Sequence, residues 1–128
     1  MSQSASKDPR LRKIAEICLL LPEVTVEHRE SHASFRVRKK VFAYFLDNHH
    51  GDGIVSVCGK TELGENRDMA TRDPERFYLP AYIGPRGWVG MRLDTRPVDW
   101  NEVRRLIRSS YCSVAPKKLA AIARSASA

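Results

Sequence analysis

Apolar and polar residues recur along the chain with two different periods, and the changes of period mark out its elements. Leu11, Ile14, Ala15 and Cys18 return at the three- and four-residue steps of one helix face. Asp8 offers an N-cap carboxylate and Pro9 suits the first helical position, so a helix is predicted from there to just before Pro22. Residues 25–28 read as a short strand and residues 30–33 as a polar turn. From Ser34 the period falls to two: Phe35 and Val37 point one way, Arg36 and Arg38 the other, and residues 41–46 follow as a nearly unbroken apolar strand. This predicts a hairpin with Arg38, Lys39 and Lys40 at its tip. DNHHGDG, residues 47–53, is a turn by composition, and residues 54–58 form the next strand of an antiparallel meander.

Thr61 is placed to cap a helix reaching about Arg72, weakened by Gly64 and ended by Asp73-Pro74. A loop punctuated by Pro and Gly covers residues 80–87. It leads into a strand at residues 88–93, with Val89, Met91 and Leu93 on one face and Trp88, Gly90 and Arg92 on the other. Asp99-Trp100-Asn101-Glu102 has the form of a capping box. The helix it opens sets Val103, Leu106, Ile107 and Ser110 against Arg104, Arg105 and Arg108. Pro116 begins a last short helix that docks through Leu119, Ile122 and Ala123. The order of elements predicts an α+β fold, an antiparallel β-sheet packed against helices as a two-layer sandwich. A chain of 128 residues makes one domain, with residues 1–7 and 125–128 expected to fray.

Composition narrows the class. The apolar stretch at residues 11–21 is broken by Arg12, Lys13 and Glu16, so no membrane span is expected. The polar start MSQSASKDPR lacks the pattern of a secretory signal, which makes the cytoplasm the expected compartment. Cys18, Cys58 and Cys112 are odd in number and far apart, without CxxC spacing, and read as buried structural thiols.

Charge changes the picture most. Lys and Arg number 22 against 15 Asp and Glu, a net charge of +7 that favours polyanions. The excess sits in two blocks. Arg36, Arg38, Lys39 and Lys40 have no acid among them; Arg104, Arg105, Arg108, Lys117, Lys118 and Arg124 face only Glu102. The hairpin tip is either a ribbon whose cations meet phosphates or a charged cap that keeps a sheet edge soluble. The arginines of the late helix are either a phosphate-facing stripe or the wet side of an amphipathic helix. Trp88 with Arg86 and Arg92 could form a stacking and cationic face, or Trp88 could pack beneath a helix.

Other chemistry is thin. His49 and His50, with Asp47 and Asp52, crowd donors into one loop, yet adjacent histidines diverge and no Cys or Glu spacing completes a metal set. No metal or cofactor is expected. Gly59-Lys60-Thr61 lacks the long glycine loop of a phosphate cradle, although a helix starting at Thr61 could take an anion with Lys60 assisting. No nucleophile elbow or base-paired serine or cysteine occurs, and no catalytic residue is assigned.

Four segments together carry a family resemblance: CLLLPEVTVEH, FRVRKKVFAYFLDNHHGDGI, RFYLPAYIGPRGWVGMRLD and VDWNEVRRLIRSSYCSVAPKKLAA. From about Leu19 to Ala121 the chain resembles the MmcQ/YjbR proteins, small bacterial domains commonly labelled DNA-binding. The resemblance implies a fold related to bacterial frataxin, CyaY, with hairpin extensions proposed to approach DNA as a double wing. It carries no catalytic residues over. Arg36, Arg38, Lys39 and Lys40 match the presumed wing; the helical cations are an addition from charge alone. Lys39 stands where relatives often have glycine, RVRGK, and a side chain disfavours positive φ there, so a turn longer than two residues is expected. The function expected is a non-enzymatic domain binding DNA or another polyanion, or alternatively a small-ligand or partner-protein module using Trp88, Arg92, Arg86, His49 and His50.

Overall fold

The computed structural model describes residues 8–30, 32–95 and 97–125, with no side chain described for His50. The elements run α1 (Pro9–Leu19), β1 (Val24–His28), β2 (His32–Val37), β3 (Lys40–Asp47), β4 (Val55–Lys60) and α2 (Glu65–Arg72). Then come β5 (Phe77–Tyr78), β6 (Trp88–Arg92), α3 (Trp100–Val114) and α4 (Lys117–Ser125). Six antiparallel strands form one sheet in the order β1-β2-β3-β4-β6-β5. The fold is α+β, as the alternation of periods predicts. The tails at residues 1–7 and 126–128 lie outside the described residues.

Helices α1, α3 and α4 cover one face of the sheet. Asp8 caps α1 by accepting the Arg10 backbone N–H at 2.8 Å, and Leu11, Ile14 and Cys18 are buried beneath it. Asp99 accepts the backbone N–H groups of Asn101 and Glu102 at the start of α3, while Val103, Leu106, Ile107, Ser110 and Tyr111 turn inward. The predicted capping box is only half formed, because the Glu102 carboxylate pairs with Arg76. These side chains meet Phe35, Val37, Phe42, Phe45, Val57, Val89 and Met91 in one core.

A bulge fits α3 to the sheet. Phe35 pairs with Ala43 and Arg36 with Val41, which leaves Phe42 as an extra residue in β3. Phe42 and Ala43 therefore both reach the helical core, where Phe42 meets Tyr111 edge to face at 5.2 Å. Ser110 donates to the Phe42 carbonyl at 2.6 Å and accepts the Lys60 N–H at 2.8 Å, tying α3 to β3 and β4 at once. At Gly59 a Cβ would stand 2.9 Å from Leu106 Cγ, so glycine lets the helix come this close.

Several expectations shift. The Arg29 N–H bonds the His32 carbonyl at 2.7 Å, so β2 begins at His32 and the polar turn is shorter than predicted. Thr61 caps no helix: α2 opens at Glu65 with Gly64 as N-cap, and the Thr61 hydroxyl bonds the Gly87 carbonyl at 2.7 Å. β5 has two residues, too few for a periodic signal. Ile122 is exposed, and Ala120 docks α4 with Leu119 and Ala123 instead. Ser125 is helical, its hydroxyl bonding the Ala121 carbonyl at 3.0 Å. The turn at Lys39 keeps two residues: Val37 pairs directly with Lys40, and Arg38 and Lys39 take φ of 49° and 72°. The right-handed twist of the strands favours this turn strongly enough to impose positive φ on two side-chain-bearing residues.

Candidate functional site

The hairpin tip is less free than its composition suggests. The Arg38 guanidinium donates to Glu23, with Nη2 at 3.1 Å from Oε2; the carboxylate raises the Arg38 pKa and the guanidinium holds that of Glu23 down. Arg36 lies 3.7 Å from Glu27 and donates to the Lys39 carbonyl at 3.3 Å. Lys39 and Lys40 are exposed and make no ion pair among the described residues. The β1–β2 pairing explains the partners of Arg36 and Arg38, since it lays Glu27, and Glu23 just before β1, beside the wing.

The second block folds into a cleft. Arg105, Arg108 and Arg124 line a space of about 440 Å³ between α3 and α4 with Glu62, Ser109, Cys112 and Ser113. Arg104 donates to the Asn101 side chain at 3.2 Å and faces the far side of Arg108, where an apolar groove of about 780 Å³ runs along Ile17, Leu20, Leu21 and Ile107. Lys117 and Lys118, both exposed, open α4.

A hydrogen bond links the hairpin side of the molecule to α3. The Tyr111 hydroxyl donates to the Pro22 carbonyl at 2.7 Å, next to the Glu23 that holds Arg38. The hairpin tip is thus tied to the C-terminal part of α3, just before α4 begins with Lys117 and Lys118. Arg104 and Arg105 lie farther back along a helix of 15 residues, about 22 Å long at 1.5 Å per residue.

The opposite face of the sheet carries the remaining candidates. Trp88 is buried with Leu46 and Cys58 there, and its ring is 5.2 Å from that of Tyr44. His32 meets Tyr44 at 6.4 Å and His49 at 4.9 Å, so aromatic rings run from Trp88 through Tyr44 and His32 to His49. Trp88 and His49 are linked only through Tyr44 and His32, with Trp88 buried, whereas Arg92 is held by Asp94 at 3.1 Å and Arg86 stays exposed in a short 3-10 turn, Gly84–Arg86. The side chain of His50 lies outside the described residues.

Around His49 a pocket of about 340 Å³ is lined by His32, Tyr44, Leu46, Asp52, Tyr78, Tyr82 and Ile83. Sequence spacing missed Tyr44 and Tyr78 as site residues, because only strand register sets them on one face, and His32, a metal suspect set aside as part of a turn, instead begins β2. The period-two pattern of β3 was the available signal for Tyr44. The Tyr78 hydroxyl is 2.8 Å from Ser56 Oγ, and burial raises its pKa. Burial likewise pushes the Cys58 thiol up to about 12 and raises Cys18, which leaves both in the unreactive thiol form. Among the described residues no three His, Cys, Asp or Glu side chains gather to hold a metal, and no helix is long and apolar enough to cross a membrane.

Comparison with known proteins agrees with this architecture. The YjbR family model matches residues 19–113. Among solved structures the chain is similar to protein DR2400 of Deinococcus radiodurans, described as a DUF419 domain. The TM-score is 0.64 at 18% identity, over 79% of this chain and 75% of the other, a likeness of fold. No curated protein matches the sequence.

Proposed function

The chain belongs to the YjbR family, and we propose that it is a non-enzymatic, cytoplasmic domain that binds DNA through backbone phosphates. The observation that carries this reading is the α3–α4 cleft, where Arg105, Arg108 and Arg124 outnumber the one carboxylate, Glu62, around the hydroxyls of Ser109 and Ser113; Lys117 and Lys118 are exposed at the start of α4. Arginine forks and hydroxyls suit phosphate oxygens, and such contacts set register without reading bases. Lys39 and Lys40 add exposed cations at the hairpin tip, while Arg36 and Arg38 can exchange their acid partners for phosphates, since exposed ion pairs are weak and screened by salt.

A footprint neutralising about five phosphates gives log K a slope of about −4.5 against log salt on duplex DNA. The test is fluorescence anisotropy with labelled duplexes of unrelated sequence, comparing the wild type with Arg105→Glu/Arg108→Glu. The double variant is expected to weaken every sequence alike and flatten the slope by about 2. Absence of binding at low salt, or an unchanged double variant, refutes the proposal.

A further inference from the structure

The pocket around His49 lies on the other side of the sheet from the basic cleft, and its lining differs in kind. Three separate segments build it: β2 and β3 give His32, Tyr44 and Leu46; the loop after β3 gives His49 and Asp52; residues 78–83 give the facing wall. Its walls are held in place. The Tyr78 ring packs against Gly90, where a Cβ would come within 2.3 Å of the ring, and its hydroxyl is 2.8 Å from Ser56 Oγ. Asn48 takes φ of 53° to turn the loop, and its side chain accepts the Gly53 N–H at 2.7 Å. Tyr82 is 82% exposed at φ of 70°, a strained backbone for a bulky residue that sets its ring at the mouth.

The chemistry of the walls selects an occupant. Aromatic and imidazole rings favour a flat π-system. Asp52 uses Oδ1 to accept the Ile54 N–H at 2.9 Å, while Oδ2 has no partner among the described residues, so one carboxylate oxygen is available to N–H donors. The same carboxylate works against an anion, and Arg92, the cation of the neighbouring strand, is already held by Asp94. The volume of about 340 Å³ stands near the lower end of small-molecule sites, which begin at about 300 Å³. We propose that this pocket binds a small planar nitrogen heterocycle presenting N–H donors along one edge, of the size of a single purine or pyrimidine. The site does not depend on the DNA-binding proposal, because it shares no residue with the cleft.

Nucleosides test it, since they carry the heterocycle without phosphate. Guanosine, adenosine, cytidine and uridine are titrated into 15N-labelled protein and followed by backbone amide shifts. Guanosine is expected to bind tightest, because its edge offers neighbouring N–H groups to one carboxylate. Saturable shifts are expected at residues 49–54 and 78–83. Asp52→Asn is expected to weaken guanosine about tenfold, the loss of a hydrogen bond to a charged group. Tyr82→Ala, at a site too exposed to endanger folding, weakens all four nucleosides. Arg105→Glu/Arg108→Glu leaves these affinities unchanged even where DNA binding is lost. No saturable shift with any nucleoside, saturable shifts confined to other residues, or equal guanosine affinity in Asp52→Asn overturns the proposal.

Discussion

Ser110 ties α3 to β3 and β4 through two hydrogen bonds, and Ser110→Ala isolates that tie. The substitution removes one oxygen and keeps the Cβ, so the packing of α3 over Gly59 is preserved. Two partners are stranded: the Phe42 carbonyl, bonded at 2.6 Å beneath α3, and the Lys60 N–H, bonded at 2.8 Å at the end of β4. Ser110 is fully buried, so water cannot take the place of the hydroxyl. A made hydrogen bond contributes about 1 kcal/mol, and a buried group left without its partner costs about 1–3 kcal/mol. With two partners stranded around a buried hydroxyl, the loss is expected to be about 3 kcal/mol. For a domain of this size that lowers the melting temperature by roughly 10 °C. Urea unfolding followed by circular dichroism measures it, with Ser113→Ala as the control, since the exposed Ser113 hydroxyl bonds only its own helix. A loss below about 0.5 kcal/mol for Ser110→Ala refutes the argument, for exposed sites alone usually change stability so little.

Lys39→Gly is expected to raise stability by up to about 1 kcal/mol, because it relieves a side chain held at φ of 72°, and to flatten the salt slope of DNA binding by about 1; thermal melts and anisotropy read the two effects separately. Asp94 carries an acid limb. Burial pushes its pKa up, but the Arg92 side chain and the Val55 N–H outweigh this and hold it below the ordinary 3.8. Its contribution is therefore full above that value and is lost as pH falls through the lower folded pKa. Asp94→Asn is expected to cost about 1 kcal/mol at pH 7 in urea unfolding. That difference should shrink below pH 3.8; an equal difference at both ends of the titration contradicts the assignment.

Periodicity exposed what a periodic signal can carry. α1, the β2–β3 hairpin, the two faces of β6 and the inward arc of α3 follow from residue spacing and caps. What it did not expose was set by tertiary contact. Thr61 looks like an N-cap but is claimed by Gly87, and Glu102 looks like half of a capping box but is claimed by Arg76. The turn at Lys39 followed strand twist rather than the side chain's own preference. Charge blocks were legible as blocks, yet the carboxylates answering Arg36 and Arg38 come from β1 and the loop before it, which sequence separation hides. The aromatic pocket was legible only through His49 and Trp88, because His32, Tyr44 and Tyr78 become neighbours through register.

The position of β3 has a consequence for the life of the unfolded chain. Its run VFAYFL has six residues rich in aromatic and β-branched side chains and not one charge, a composition prone to cross-strand aggregation when exposed. In the native sheet it lies between β2 and β4, never at a rim; the rims are β1, with its ion-paired Glu27, and the two-residue β5. Arg38, Lys39 and Lys40 precede the run and Asp47 follows it, so the cations at the wing also act as gatekeepers that keep newly made copies from zipping together before the neighbouring strands close over them.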